Sequence, residues 1–428
     1  MLVGYFAVPI AVLLFSPWWL LLAIVVLVAV LIAATRAGQQ VWSVTQIGIA
    51  TIPQRLGSSS VVVVGIAGVV AVLVALLAMA QGFAATLKVT GTDDTAIVMR
   101  AGAQSEINSV IDHETATLVS QATQVRHDPG GQPIASPELV VIAALPKRTT
   151  GLDANVELRG VGARAWELRP RVKILAGRRF ASGLRELIAG KDARQQFVGA
   201  EPGSTLKLNG QLWNVVGIFD SGDSHNSELW GDTDIVGSTF RRGSSTTSVT
   251  VLLKDAAAFD AFKAGLLADP RLQVDVLTTR QYFNQQSETL AQIIRILGTI
   301  IGIIMAIGAV FGALNTMYAS VAARAREIAT LRAIGFRGTP VVVSVMLETL
   351  LLAFLGGSLG AGLAWLVFNN YTASTLGSNF TAVVFAFQVT PALLWDGLKW
   401  ALTMGLVGGL FPALRAARQP VTAGLREL

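Results

Sequence analysis

Cysteine is absent from all 428 residues, which excludes a disulfide framework and any thiolate metal site. Charge is scarce as well: Asp, Glu, Lys and Arg make up 14% of the chain, where a soluble domain carries about 25%. There are three histidines, His113, His127 and His225. H-E-x-x-H does not occur, so the reagents of a zinc hydrolase are missing. The one Gly-Lys pair, Gly190-Lys191, is followed by Asp192. Without a P-loop the chain is not expected to cradle nucleotide phosphates in that manner.

What the chain has instead is apolar length. Hydrophobic residues make up 52% and mean hydropathy is +0.57. No charge occurs in residues 1–35, 56–87, 296–323 or 349–395. An uncharged apolar stretch of roughly 20 residues is long enough to cross a bilayer. Residues 88–288 differ: they hold 22 Lys+Arg against 23 Asp+Glu, or −1, while the rest holds 11 against 4, or +7. The sequence pI of 9.8 is therefore no nucleic-acid footprint, because the polar region able to offer a binding face is close to neutral. The excess sits with the apolar stretches, the pattern that the positive-inside bias produces.

Residues 2–34 are apolar apart from breaks at Pro9 and at Ser16-Pro17-Trp18-Trp19. As one straight helix they would run to ~50 Å against a bilayer of about 30 Å. Two readings fit residues 1–35: a hairpin turning at Ser16-Pro17, which is preferred, or one span behind an interfacial segment. A cleaved signal peptide is disfavoured, because no basic residue precedes the apolar run and no small-x-small site follows it. Residues 36–58, with Arg36, Pro53 and Arg55, read as a segment along the cytoplasmic face. The first core span covers 59–87.

From 88 to 288 the period changes. Residues 95–99, 139–144, 248–253 and 272–277 read as strands and 256–267 as a helix. Asn209-Gly210 lies between the alternating runs Leu206-Lys207-Leu208 and Leu212-Trp213-Asn214-Val215-Val216, which predicts a type I′ hairpin. Such a region makes a mixed α+β domain large enough for its own core. A stalk and second core span cover 289–319, and further spans cover 340–367 and 391–414. Gly298/Gly302, Gly308/Gly312, Gly356/Gly360 and Gly405/Gly409 recur at four-residue spacing. That spacing lets helices approach closely, within one chain or at a seam between subunits.

Loop charges set the orientation. Segment 320–339 carries Arg324, Arg326, Arg332 and Arg337 against Glu327 alone, and the tail 415–428 carries Arg415, Arg418 and Arg426 against Glu427. The 368–390 loop carries no charge. Arginine-bearing loops stay in the cytoplasm, which puts 88–288 and 368–390 outside. The expected fold is an α-helical membrane protein with an inserted α+β extracytoplasmic domain. It has four core transmembrane helices plus an extra N-terminal hydrophobic segment of one or two helices.

Few groups carry chemistry. Glu348 lies eight residues into the third core span. An intramembrane carboxylate marks a functional site by default, but beside an arginine-rich interface a structural ion pair is the preferred reading. Asp220, Asp223, His225, Glu228, Asp232 and Asp234 sit among Ser, Gly and Asn. They read as a solvated acidic loop rather than a calcium site, since their spacing does not fit an EF-hand. Repeated halves with midplane polar sites, the mark of a secondary transporter, are absent. In 321–336, Arg324, Ile328 and Leu331 fall at i, i+4 and i+7, Glu327 lies three residues from Arg324, and Gly335 is a natural stop. This predicts a short helix with both ends fixed to spans, so that force applied to it would move those spans together.

At these residues the chain resembles a known family. Arg324-Ala325-Arg326-Glu327-Ile328 followed by Leu331-Arg332-Ala333-Ile334-Gly335 is similar to the R-x-R-E-I-x-x-x-R-A-x-G run of the FtsX/MacB-type permease subunits of ABC transporters. Pro412-Ala413-Leu414-Arg415-Ala416-Ala417, Pro420-Val421 and Leu425-Arg426 resemble the family's C-terminal signature. Gly177-Arg178-Arg179-Phe180, Gly203-Ser204-Thr205-Leu206-Lys207-Leu208 and Trp213-Asn214-Val215-Val216-Gly217 resemble elements of the MacB-like periplasmic domain. Gln81-Gly82-Phe83 closes the first core span as in that family, and the likeness covers 40–428.

The resemblance implies a non-catalytic, multi-pass subunit of the bacterial inner membrane with its large domain in the periplasm. No cofactor is expected on this chain. ATP and Mg would be bound by an ATPase dimer on a separate subunit, beneath two permease chains, alike or different. The ATPase-coupling residues carried over are Arg324, Arg326, Glu327, Ile328, Leu331, Arg332, Ala333 and Gly335. Gly298, Gly302, Gly308, Gly312, Gly356 and Gly360 would pack helices. The coupling helix would pass ATPase motion to the periplasmic domain, by mechanotransmission, to export or extract a substrate from the periplasm or inner membrane. A periplasmic membrane-fusion protein and an outer-membrane channel are further partners of such systems; membrane lipid is the surrounding medium and no nucleic acid is expected. The alternatives are an FtsX-like regulator that activates a periplasmic partner such as a cell-wall hydrolase, or a non-energised membrane scaffold or receptor.

Overall fold

In hydrocarbon a backbone polar group finds no water, so long uncharged runs satisfy their own N–H and C=O groups as helices. The structure, a computed structural model, describes residues 13, 16–50, 52–377 and 381–420. Among these, four helices are long and apolar enough to cross a membrane: Ser59–Lys88, Thr279–Ala323, Gly338–Phe368 and Pro391–Arg418. The second has 45 residues, ~68 Å at the α-helical rise. The hairpin expected within residues 1–35 falls largely outside the described residues; Trp18–Ala34 is one helix. Thr35 then leaves helical geometry and caps a new helix, its Oγ1 accepting the Gly38 N–H at 3.0 Å. The two helices meet at 103° and, taken as one broken span, make a fifth candidate.

The chain divides into two compact units. The helical unit comprises Met1–Met79, Ile294–Tyr371 and Phe387–Leu428. Segment 36–58, expected as a surface segment, holds the amphipathic helix Arg36–Ala50. Its Val41, Val44, Thr45 and Gly48, spaced i, i+3, i+4, i+7, are buried, and the helix packs against Gly338–Phe368. Glycine spacing separates into two kinds. A Cβ at Gly356 would come 2.8 Å from the Val63 carbonyl oxygen, and one at Gly360 would strike the Ala67 carbonyl oxygen. Gly298 and Gly302 face Leu76 and Leu73, and Gly405 and Gly409 face Ala353 and Thr349. Around Gly308 and Gly312, by contrast, a Cβ would meet nothing within 4 Å.

The sheet unit comprises Ala80–Ile293 and Thr372–Ala386. Its strands are β1 (Thr95–Arg100), β2 (Ala135–Pro146), β3 (Asp153–Val161), β4 (Lys173–Gly177), β5 (Glu186–Gly190), β6 (Thr205–Leu208), β7 (Gln211–Asp220), β8 (Leu229–Asp232), β9 (Ser248–Leu252) and β10 (Val274–Thr278). They form one sheet in the order β10-β1-β9-β2-β3-β8-β5-β7-β4, with β6 on β7. Only the pairs β3–β8 and β5–β7 are parallel. Asn209 and Gly210 both have positive φ, +44° and +81°, the geometry of a type I′ turn, and β6 pairs with β7 as the alternation predicts.

Two apolar cores serve this sheet. One gathers Val98, Val251, Phe262 and Val276 around β1, β9 and β10. The other gathers Leu158, Leu187, Phe197 and Trp213 around β3, β5 and β7. Strand β2 joins them, because Ala135–Glu138 pair with β9 and Leu139–Pro146 with β3. The 368–390 segment, expected as a loop, folds as a hairpin of β11 (Thr372–Leu376) and β12 (Ala382–Ala386). The Val384 N–H donates to Ser227 Oγ at 3.0 Å and Ala382 enters the second core.

Candidate functional site

The segment after the second span is built from good helix formers and closed by a glycine. Arg324, at φ −105° and ψ 11°, interrupts the helix that ends at Ala323, and a new helix runs Ala325–Ala333. At its end the Phe336 N–H donates to the Leu331 carbonyl at 3.1 Å and the Gly335 N–H to the Arg332 carbonyl at 3.2 Å. With Gly335 at φ +107° this is a Schellman ending. Ala325, Ile328 and Ala329 are buried, and Ile328 packs with Met317, Val321, Val341 and Ala413. Arg326, Glu327, Thr330, Ala333 and Gly335 are exposed; Leu331 and Arg332 are half-buried. Arg332 donates to the Gln419 carbonyl, just past the fourth span. The spacing argument put Arg324 on the face of Ile328 and Leu331. Arg324 instead sits before the first turn and turns toward the third span.

There it meets Glu348. Glu348 Oε2 accepts from Arg324 Nη1 at 3.1 Å, and Oε1 accepts from Arg55 Nη2 at 3.1 Å. Arg55 also donates to Ser320, and Arg324 Nε reaches the exposed Glu327 at 3.2 Å. Glu348 is 3% exposed, so both pairs are shielded from the solvent that weakens surface ion pairs. The structural-pair reading of Glu348 agrees with this geometry; the partner from 36–58 had no sequence signal beyond its charge.

In the sheet unit the acidic cluster is not a solvated loop. His225, Glu228 and Asp232 are buried, Asp220 and Asp223 half-buried, and Asp234 alone is exposed. The reason is that Asp220, Asp223, Glu228 and Asp232 each find a donor. Glu228 accepts from Arg159 Nε at 2.9 Å and from the Trp230 indole at 2.7 Å. Asp223 accepts from His225 Nδ1 at 2.9 Å, Asp220 pairs with Lys191 at 2.9 Å, and Asp232 caps the helix Thr233–Thr239. Among the described residues no group of three or more His, Asp or Glu is arranged to hold a metal ion.

Arg159 is the centre that sequence reading missed. Its guanidinium, 2% exposed, also meets Glu106 at 2.8 Å, Glu138 at 3.0 Å and Glu157 at 2.8 Å, so four carboxylates share one cation. Glu138 gains Arg169 at 2.6 Å, and Ser248 Oγ donates to Glu106 at 2.6 Å. Burial pushes the Glu138 carboxyl up, but Arg169 and Arg159 together outweigh it and hold it at about 2. Burial likewise opposes ionisation of Arg159, and the four carboxylates overcome it. His225 is lowered by burial yet raised overall, by Asp223 and then Glu228. Tyr282, in the first turns of the helix Thr279–Ala323, packs on Ile97 and Met99, and its hydroxyl accepts the Glu106 N–H at 3.2 Å. A cavity of about 40 Å³ beside Arg159 is lined by Glu106, Glu157, Glu228, Tyr282 and Thr381.

Four candidate spans, a short helix between the second and third of them and an inserted sheet unit are the frame of a multi-span membrane protein. Residues 299–421 match the family model of the FtsX-like permease C-terminal, and residues 59–268 match that of the MacB-like periplasmic core domain. The chain belongs to the FtsX/MacB-type permeases. The macrolide export ATP-binding/permease protein MacB of Neisseria meningitidis serogroup A is 24% identical over 324 residues, 68% of this chain and 48% of that protein. The protein of the same name from Rhodopseudomonas palustris is 26% identical over 290 residues, 62% of this chain and 42% of that one. The chain thus spans about half the length of the curated relatives it matches. The solved periplasmic region of MacB from Actinobacillus actinomycetemcomitans is 16% identical, with a TM-score of 0.34, over 47% of this chain and 92% of that one.

Proposed function

We propose that this chain is the permease of an inner-membrane ABC transporter and works by mechanotransmission. An ATPase dimer on the cytoplasmic side grips the exposed face of Ala325–Ala333, and the sheet unit lies in the periplasm. The observation that carries this reading is the helix itself. It is short, closed by its own cap, exposed through Arg326, Glu327, Thr330 and Ala333, and joined at both ends to candidate spans. Its buried side, Ile328, packs with residues of three spans, so pressure on the exposed side has a route into them.

The helix Thr279–Ala323 is long enough both to cross a bilayer and to project beyond it. We read it as the rod that carries motion, received in the sheet unit by Tyr282. A second permease chain completes the assembly, and the unoccupied face at Gly308 and Gly312 supports a helix seam there. The coupling energy comes from the ATPase's different contacts in its two states. Substitution Glu327→Arg, or deletion of 326–332, is expected to abolish nucleotide-driven work in the periplasm while the chain still folds; transport at the unsubstituted rate would refute the reading. Labelling of Ala333→Cys from the periplasmic side alone would refute the orientation.

A further inference from the structure

One buried carboxylate serves two arginines drawn from different parts of the helical unit, and one of these arginines, Arg324, also serves an exposed carboxylate. Arg55 lies just before the first span, Arg324 just before the coupling helix, and Glu348 in the third span. Gly48 leaves room for the contact: a Cβ there would press on Arg324 Nη1 at 3.3 Å and Glu348 Oε2 at 3.4 Å. Glu327 is 54% exposed and Glu348 3%, yet both bind the guanidinium of Arg324.

Resting on the permease reading, we propose that Glu348 is a positioning residue for force transfer, an ionic latch that fixes the start of the coupling helix to Arg55. Arg324 divides its donors between the two carboxylates. A partner that engages Glu327 on the exposed face changes what Arg324 gives to Glu348, and so changes the hold on the buried side. Neutralising Glu348 leaves Arg55 and Arg324 as two like charges with no carboxylate between them, and the start of the helix is released.

The test uses the full chain in lipid nanodiscs, with a nitroxide on Ala333→Cys; because the chain has no other cysteine, the label is unique. Glu348→Gln and Arg324→Gln are each expected to cut the immobilised fraction of the spectrum by about half, and the double substitution to cut it no further. Glu348→Asp, which keeps the charge, is expected to retain most of the immobilised fraction. With an ATPase bound, substrate-linked turnover in Glu348→Gln is expected to fall about tenfold, as loss of a coupling contact of this kind predicts. Additive losses, equal behaviour of Asp and Gln at 348, or an unchanged spectrum would overturn the latch. If Glu348→Gln fails to accumulate, Arg324→Gln alone decides: freed label supports the latch and an unchanged label overturns it. Absence of any ATPase stimulation by the unsubstituted chain would overturn the permease reading and leave the nitroxide result standing.

Discussion

Arg159 shows how much a single side chain can hold and how little of that is visible in a string of letters. Its carboxylates come from Glu106, Glu138, Glu157 and Glu228, spread over more than a hundred positions. In β3 Val156 and Leu158 alternate with Glu157 and Arg159, yet both faces are buried. The acidic run 220–234 departs from the solvated-loop expectation because polarity is legible in a sequence and partners are not. Breaking a buried ion pair from one side costs about 3–5 kcal/mol, because the remaining charges keep their desolvation penalty. Arg159→Leu is therefore expected to unfold the sheet unit, seen as loss of amide protection in β3 and β8 by hydrogen exchange. Arg178 pairs with Glu186 at 2.6 Å but is 58% exposed; Arg178→Ala is expected to leave the same protection almost unchanged.

Among elements, the strongest periodic signals held. The Asn209-Gly210 hairpin and the helix stop at Gly335 follow from local chemistry alone, since both need backbone geometry that glycine supplies freely. Strands β4, β5 and β8 were not legible: β5, Glu186–Gly190, is buried throughout and shows no alternation. The glycine pairs look identical in sequence, and only packing separates them. Gly360→Leu would drive a side chain into the Ala67 backbone, whereas Gly308→Leu enters open space. Gly360→Leu is expected to lower the melting temperature in detergent strongly, in line with overpacking costs of about 1–3 kcal/mol or more. Gly308→Leu is expected to leave that melt unchanged and, under the proposed seam between two permease chains, to lower their cross-linking yield.

For the whole molecule, the partition of charge foretold the partition of structure. The near-neutral stretch 88–288 lies within the sheet unit, and the uncharged runs 56–87 and 296–323 lie within the helices Leu56–Lys88 and Thr279–Ala323. The buried network makes the sheet unit's stability depend on pH from both sides. The carboxyl of Glu138, lowered from 4.5 to about 2, stabilises fully above pH about 4.5 and loses that contribution as pH falls toward 2, roughly 3 kcal/mol in all. His225, raised from 6.5, stabilises fully below pH 6.5 and loses its contribution as pH rises through its folded value. Protection of β3 and β8 amides is expected to peak between these limits; a flat profile from pH 3 to 9 would contradict the assignment.

The hairpin Thr372–Ala386 carries a practical consequence. Its residues lie in sequence between the third and fourth candidate spans, yet they close the sheet unit: Thr381 Oγ1 reaches Glu157, Val384 takes Ser227, and Phe83 stacks edge-on against Phe385 at 5.7 Å. A soluble fragment cut at 80–293 would leave these surfaces bare, with Glu157 short of a donor. Grafting 372–386 onto such a fragment through a flexible linker is what would make it whole.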